Sequence, residues 1–178
     1  MHHIRRLTTG CLALLAAGAA LATPTPEEGA ILEVIDAFFL ALHAGDADTL
    51  EAVLQPHSRT VLIRPDGEEG AASIAVREGR DTVARMRHQP WAPFRESYWS
   101  PKVLQRGRLA VVWLPYVLIR EEGGFSHCGI DQFTLTKAGG WRIDFVAFTI
   151  EPTREACADL GQPSDDDLLR PTFPEQSK

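Results

Sequence analysis

The chain has 178 residues, of which 44% are hydrophobic and 24% charged, and its formal net charge is -6. That length and balance fit one folded domain with a sizeable core and exclude a chain disordered throughout. An acidic chain without a basic stripe excludes nucleic acid and anionic membrane surfaces as expected partners.

The first segment reads as an export signal. Arg5 and Arg6 supply a positive start, and Cys11 to Leu21 is an apolar run rich in Ala and Leu, too short for a membrane span. Ala20-Leu21-Ala22 is a small-x-small cleavage site, so residues 1–22 are expected to leave and Thr23 to begin the mature chain. Cys11 precedes most of the apolar run, which disfavours a lipid anchor. The expected location is periplasmic or secreted, with no membrane attachment after cleavage. Of three cysteines the mature chain keeps Cys128 and Cys157. An oxidising compartment allows these two to pair, provided their Cα atoms approach closely enough.

Thr25-Pro26-Glu27-Glu28 opens a helix: Thr25 caps, Pro26 suits the first turn, and Glu28 completes a capping box. Ile31, Ile35, Phe38 and Leu42 recur at helical spacing up to a stop near Gly45. Asp46 or Asp48 caps a second short helix with Leu50, Val53 and Leu54, ended by Pro56. Thr60 to Ile63 is a short strand, Pro65 to Gly79 an exposed connection, and Asp81 to Arg87 a third helix. Four strands follow, Glu96 to Gln105, Leu109 to Arg120, Phe125 to Thr136 and Trp141 to Glu151, separated by glycine-containing turns. Their spacing predicts an antiparallel meander, and helices before strands give an α+β layout. The expected division is a signal peptide over 1–22, one α+β domain over 23–155 and a flexible acidic tail over 156–178. In that tail Asp165-Asp166-Asp167 reads as a solvated patch.

If Lys137 to Gly139 form the loop of the last hairpin, Leu135, Phe133 and Asp131 share a face with Trp141, Ile143 and Phe145. His127 then falls opposite Thr149. His127 and Asp131 point to the helix-covered side, while Cys128, Gln132, Thr134, Arg142 and Asp144 take the other. A slip of one residue inverts this assignment.

The helix ending in Ala44-Gly45-Asp46-Ala47-Asp48-Thr49-Leu50, the Glu78-Gly79-Arg80-Asp81 start of a third helix and the closing Gly140-Trp141-Arg142-Ile143 strand together resemble nuclear transport factor 2-like (SnoaL-like) domains. Trp113-Leu114-Pro115-Tyr116 and Phe125-Ser126-His127-Cys128-Gly129-Ile130-Asp131 are similar to an exported, lumazine-binding-like branch. The resemblance runs from Glu27 to Thr153. It implies a cone, a curved antiparallel sheet packed against N-terminal helices around an apolar cavity. Relatives of this shape include isomerases, dehydratases, epoxide hydrolases and plain binding or assembly modules, so shape alone does not assign function.

His127, facing an apolar cavity, could act as general acid or base, or be a core histidine bonded to a carbonyl or to Thr149. Asp131 could be a cavity carboxylate with a raised pKa, or be bonded to Tyr116 or Tyr98. Four residues separate the two in one strand, about 13 Å at ~3.4 Å per residue, so they are not a bonded dyad. As strand neighbours, His127 and Cys128 point apart and make a poor nucleophile pair. Phe38, Trp91, Tyr98, Trp99, Trp113, Tyr116, Phe133, Trp141 and Phe145 are candidate pocket walls, with ordinary core packing the alternative for most. His43, His57, His88 and His127 lack metal-ligand spacing, and no nucleotide or serine-hydrolase motif occurs, so neither metal nor cofactor is expected. Three functions remain: an exported binding domain for a small apolar ligand; an isomerase, lyase or hydrolase using Asp131 or His127 for proton transfer; and an assembly domain dimerising through the sheet.

Overall fold

The computed structural model describes residues 25–67, 70–91, 94–120 and 124–161. The expected signal segment and Asp165-Asp166-Asp167 lie outside the described residues. Helix α1 spans Pro26–Ala44. Its first turn is fixed by a reciprocal pair: Glu28 N–H donates to Thr25 Oγ1 at 3.2 Å, and Thr25 N–H donates to Glu28 Oε2 at 2.7 Å. Gly45 ends the helix at φ +69, a left-handed conformation that favours glycine. Asp46 caps α2 (Ala47–Val53) by accepting from the backbone N–H groups of Asp48 and Thr49. Helix α3 covers Gly79–His88.

The strands are β1 (Leu54–Pro65), β2 (Ala72–Glu78), β3 (Phe94–Tyr98), β4 (Lys102–Arg106), β5 (Leu109–Arg120), β6 (Phe125–Lys137) and β7 (Trp141–Thr149). They form one curved seven-stranded sheet in the order β2-β1-β7-β6-β5-β3, with β4 also on β5. The meander from β5 to β7 is antiparallel, but β1 lies parallel to β7, so the sheet is mixed rather than wholly antiparallel. The chain reaches β1 from the helices and must run alongside the last strand to close the cone.

Two sequence expectations change. The single strand Glu96 to Gln105 is divided at Trp99-Ser100-Pro101, where Ser100 takes φ +45, and both pieces pair with β5. The connection Pro65 to Gly79 contains a full strand, β2, at the sheet edge. Its alternating Ile74 and Val76 carry the β tendency, and the glycines and charges around them disguised it.

On the concave face, Ala110, Val112, Leu114 and Tyr116 of β5 meet Phe133 and Leu135 of β6 and Ile143 and Val146 of β7, all buried. Helix α1 lays Ile31, Ile35 and Phe39 on them, with Phe38 edge-on to Phe133 at 5.3 Å between centroids. The hairpin tip is tied to the start of α1, where Glu27 Oε1 accepts from Trp141 Nε1 at 2.7 Å and pairs with Lys137.

A smaller apolar cluster lies on the convex face. Cys128 and Cys157 are joined by a disulfide with Cα atoms 6.4 Å apart, and both pack with Trp99 and Val117. The bridge spans a sequence separation of 29, which the chain-entropy account values at about 3–4 kcal/mol. The break expected at Glu155 falls at the start of a 3-10 turn, Glu155–Leu160, whose Leu160 carbonyl accepts from Trp99 Nε1 at 3.1 Å. The folded unit therefore continues past 155, because Cys157 and Leu160 fasten the turn to the sheet.

Candidate functional site on the concave face

Alternation along β6 puts His127, Gly129, Asp131, Phe133 and Leu135 on the concave side, opposite Leu118, Tyr116, Leu114, Val112 and Ala110 of β5. Asp131 is 3% exposed. Its sheet neighbours are Leu114 on β5 and Phe148 on β7, with Phe133 two residues along. A carboxylate among such walls loses its water shell, and Glu96 stands near enough to repel it. Both effects push the Asp131 pKa well above the usual carboxylate range, burial more strongly.

Glu96 is the site residue that sequence reasoning missed. It shares the concave face with Phe94 and Tyr98 on β3, opposite Leu118. Burial raises its pKa from 4.5 to about 8. The side chain keeps part of its surface in contact with solvent, so water tempers that penalty. Among the described residues, neither Glu96 nor Asp131 has a side-chain hydrogen bond or an ion pair. The available clue was the alternation Phe94-x-Glu96-x-Tyr98, which sets a glutamate in a core register. Placing the strand's start at Glu96 hid that clue.

Tyr116 fills the space between the two candidate proton carriers. Its hydroxyl donates to the Thr149 carbonyl at 2.7 Å, and its ring meets His127 edge-on at 5.7 Å and Phe148 at 6.4 Å. Burial, then the fields of Glu96, Asp131 and Glu151, drive its pKa far upward, so it stays protonated and serves as a wall. Tyr98 donates to Asp36 Oδ1 of α1 at 2.6 Å. Neither tyrosine hydroxyl reaches Asp131 through these bonds.

On the β5 side His127 lies opposite Leu118, and on the β7 side the Cys128–Glu151 bridge sets Thr149 level with Ile130 rather than with His127. Its Nδ1 is 3.1 Å from Ser126 Oγ. Its pKa is lowered, first by burial and then by Arg120 and Arg64, so the ring is neutral at neutral pH and can accept a proton.

Two offsets make up the register error: the loop is Ala138 to Gly140 rather than Lys137 to Gly139, and a bulge follows it. Lys137 pairs with Trp141 and Leu135 with Ile143, but Thr134 pairs with Phe145, leaving Asp144 as the extra residue. Beyond it Val146 and Phe148 face inward, and Phe145 turns to the convex side. Asp144 Oδ1 lies 2.9 Å from His57 Nε2 on β1. Phe145 therefore does not line the concave face. Trp113 also faces outward and is 50% exposed. Trp99 belongs to the convex cluster beside the disulfide. Trp91 is partly buried at the end of α1, where its Nε1 donates to the Leu42 carbonyl at 2.6 Å. Trp141 is committed to Glu27 at the hairpin tip. Of the nine aromatic candidates, Phe38, Tyr98, Tyr116 and Phe133 sit together on the concave side with Asp131. The described residues include no group of three or more His, Cys, Asp or Glu side chains placed to hold a metal ion.

No family model matches the chain, and no curated protein matches it. Solved structures do. A nuclear transport factor 2-like protein with a cystatin-like fold from Novosphingobium aromaticivorans aligns with a TM-score of 0.57 at 17% identity, over 76% of this chain and 89% of that one. The beta subunit of a putative aromatic-ring-hydroxylating dioxygenase from the same organism aligns at 0.57 and 14% identity, over 71% and 90%. The CaMKII hub of S. rosetta aligns at 0.56 and 18% identity, over 73% and 100%. At these identities the likeness establishes the fold: a curved sheet against helices, shared by proteins with different tasks.

Proposed function

We propose that this chain, which has the nuclear transport factor 2-like fold, binds a small molecule against its concave face and moves a proton on it, with Asp131 as the central group. The observation that carries this reading is the pair of carboxyl groups, Asp131 and Glu96, turned into an apolar face without partners among the described residues. Buried acids without partners cost stability and add nothing to packing, so their presence favours a chemical role. Two coupled acids lose their protons in two separate steps, and between those steps they hold one proton between them. That supplies a carboxylate to take a proton from carbon and a carboxylic acid to return one, as an isomerase or lyase requires. His127, neutral and facing the same side, is the second acceptor. Export to the periplasm or medium remains part of the proposal, and the Cys128–Cys157 disulfide supports it.

The test is carbon-acid exchange. Cyclic ketones and enones incubated with the protein in deuterated buffer should take up deuterium faster than in buffer alone, read by proton NMR. Asp131→Asn should slow that exchange by about a hundredfold or more. Compounds that raise the melting temperature without exchanging would leave a binding function only.

A homodimer through the convex face is the second reading. Ile74 and Val76 on β2, and Leu104 and Trp113 on β4 and β5, are 67%, 61%, 72% and 50% exposed on that face. Light scattering at micromolar concentration should give a dimer mass, reduced to a monomer by Trp113→Glu. A wild-type monomer retires this reading.

A further inference from the structure

We infer that the molecule received by the concave face carries an oxyanion, in the simplest case a carboxylate, on an apolar body, and that Arg64 and Arg120 hold this group at the end of the face remote from the hairpin tip. The inference rests on the small-molecule reading above and adds the ligand's charge and orientation.

Arg120 follows the concave residue Leu118 by two positions on β5, and Arg64 follows the concave Leu62 by two on β1, so alternation sets both on the concave side. Both stand at the same end of the sheet. Arg120 pairs with Phe94 at the start of β3, and Arg64 comes one residue after Ile63, whose carbonyl accepts from Ile150 N–H at 2.8 Å. His127 occupies β6 between them, opposite Leu118. Both guanidiniums lie near enough for their fields to reach the His127 ring.

Arg59 pairs with Glu78, and Arg87 with Asp48 and Glu51, while Arg77, Arg80, Arg106, Arg108 and Arg142 form no ion pair among the described residues. Arg64 and Arg120 differ from those in sharing one end of the concave face beside His127. Among the described residues, Arg64 and Arg120 form no ion pair and no hydrogen bond through their side chains. Arg64 and Arg120 are thus two guanidiniums at one end of one face whose donors no described acid takes. A guanidinium presents its N–H groups in a planar fork that matches a carboxylate, and an ammonium would not supply that geometry.

The interior fixes the orientation. Glu96 and Asp131 repel an anion whenever either is ionised, whereas the partly buried Phe148 and Leu118 beside them offer an apolar wall. The anionic group therefore stays at Arg64 and Arg120, and the apolar part extends toward Asp131. This also separates roles: the arginines hold, and the acids act on carbon.

The experiment is calorimetric titration with 1-naphthoate and with its neutral counterpart 1-naphthamide. Naphthoate should bind about tenfold more tightly or better, the value of one charge-assisted hydrogen bond. Arg64→Gln and Arg120→Gln should each weaken naphthoate by about fivefold or more and leave the amide unchanged. Arg142→Gln, exposed on the convex side opposite Thr136, should change neither. Equal affinity for acid and amide overturns the inference. So does failure of naphthoate to bind at millimolar concentration, or an equal loss in the Arg142 variant. The proton-transfer reading fails separately: if naphthoate binding depends on the arginines but no carbon acid exchanges, the anion site stands and the chemistry falls.

Discussion

Asp131→Asn is expected to make the protein more stable at pH 8, by on the order of 2 kcal/mol, while abolishing exchange chemistry. The folded state holds Asp131 and Glu96 protonated to higher pH than the unfolded chain does. As pH rises from about 4.5 to about 8 the unfolded state gives up protons that the folded state retains, so stability falls across that window. His127 acts in the opposite sense. Its lowered pKa makes stability rise with pH up to the ordinary value of 6.5. The acid pair is therefore read most cleanly between 6.5 and about 8. Urea denaturation at intervals over that range should give a falling curve for wild type and a flatter one for Asp131→Asn and for Glu96→Gln. The double variant should gain less than the sum, since removing one charge already relieves the other. A wild-type curve that is level or rising here would mean that the carboxyl groups are adequately solvated, and the argument for a chemical role would go with it.

Gly129→Ala should cost about 3 kcal/mol or more, among the larger effects of any single substitution in the chain. A Cβ at that position would meet the Thr149 carbonyl oxygen at 2.3 Å and Thr149 Oγ1 at 2.7 Å. Thr149 cannot step aside cheaply. Its carbonyl accepts from Tyr116, and its hydroxyl oxygen accepts from Ile130 N–H at 3.0 Å. Moving it frees the Tyr116 hydroxyl and spreads β6 from β7 beside His127 and Asp131, so ligand binding should weaken along with stability. Gly140→Ala, where nothing lies within 4 Å of the added carbon, is the matched control and should stay within about 0.5 kcal/mol of wild type. Thermal or urea denaturation of the two variants decides the matter, and equal stability would show that the β6–β7 contact yields without cost.

Local signals were the legible ones. Thr25, Pro26 and Glu28 carry the start of α1 in four residues, and Gly45 its end, because caps depend on near neighbours. Alternation along β6 was enough to turn His127 and Asp131 inward. What could not be read involves distant partners. The parallel pairing of β1 with β7 depends on closure of the whole cone. Glu96 is a site residue because β3 lies next to β5, across a chain separation no local pattern reports. Trp99 and Trp113 were assigned inward by their size, yet only strand register says which side a large ring takes.

The extra residue at Asp144 gives β7 two reading frames. From Trp141 to Ile143 odd positions face the helices, and from Val146 to Phe148 even positions do. Loss of Asp144 alone would give β7 unbroken alternation with Val146 and Phe148 still facing inward, whereas one further residue between Ile143 and Val146 would exchange inside for outside along the half of the strand that borders Asp131. In comparing related sequences, a gap placed at this point must be resolved before any residue of β7 is assigned to the site.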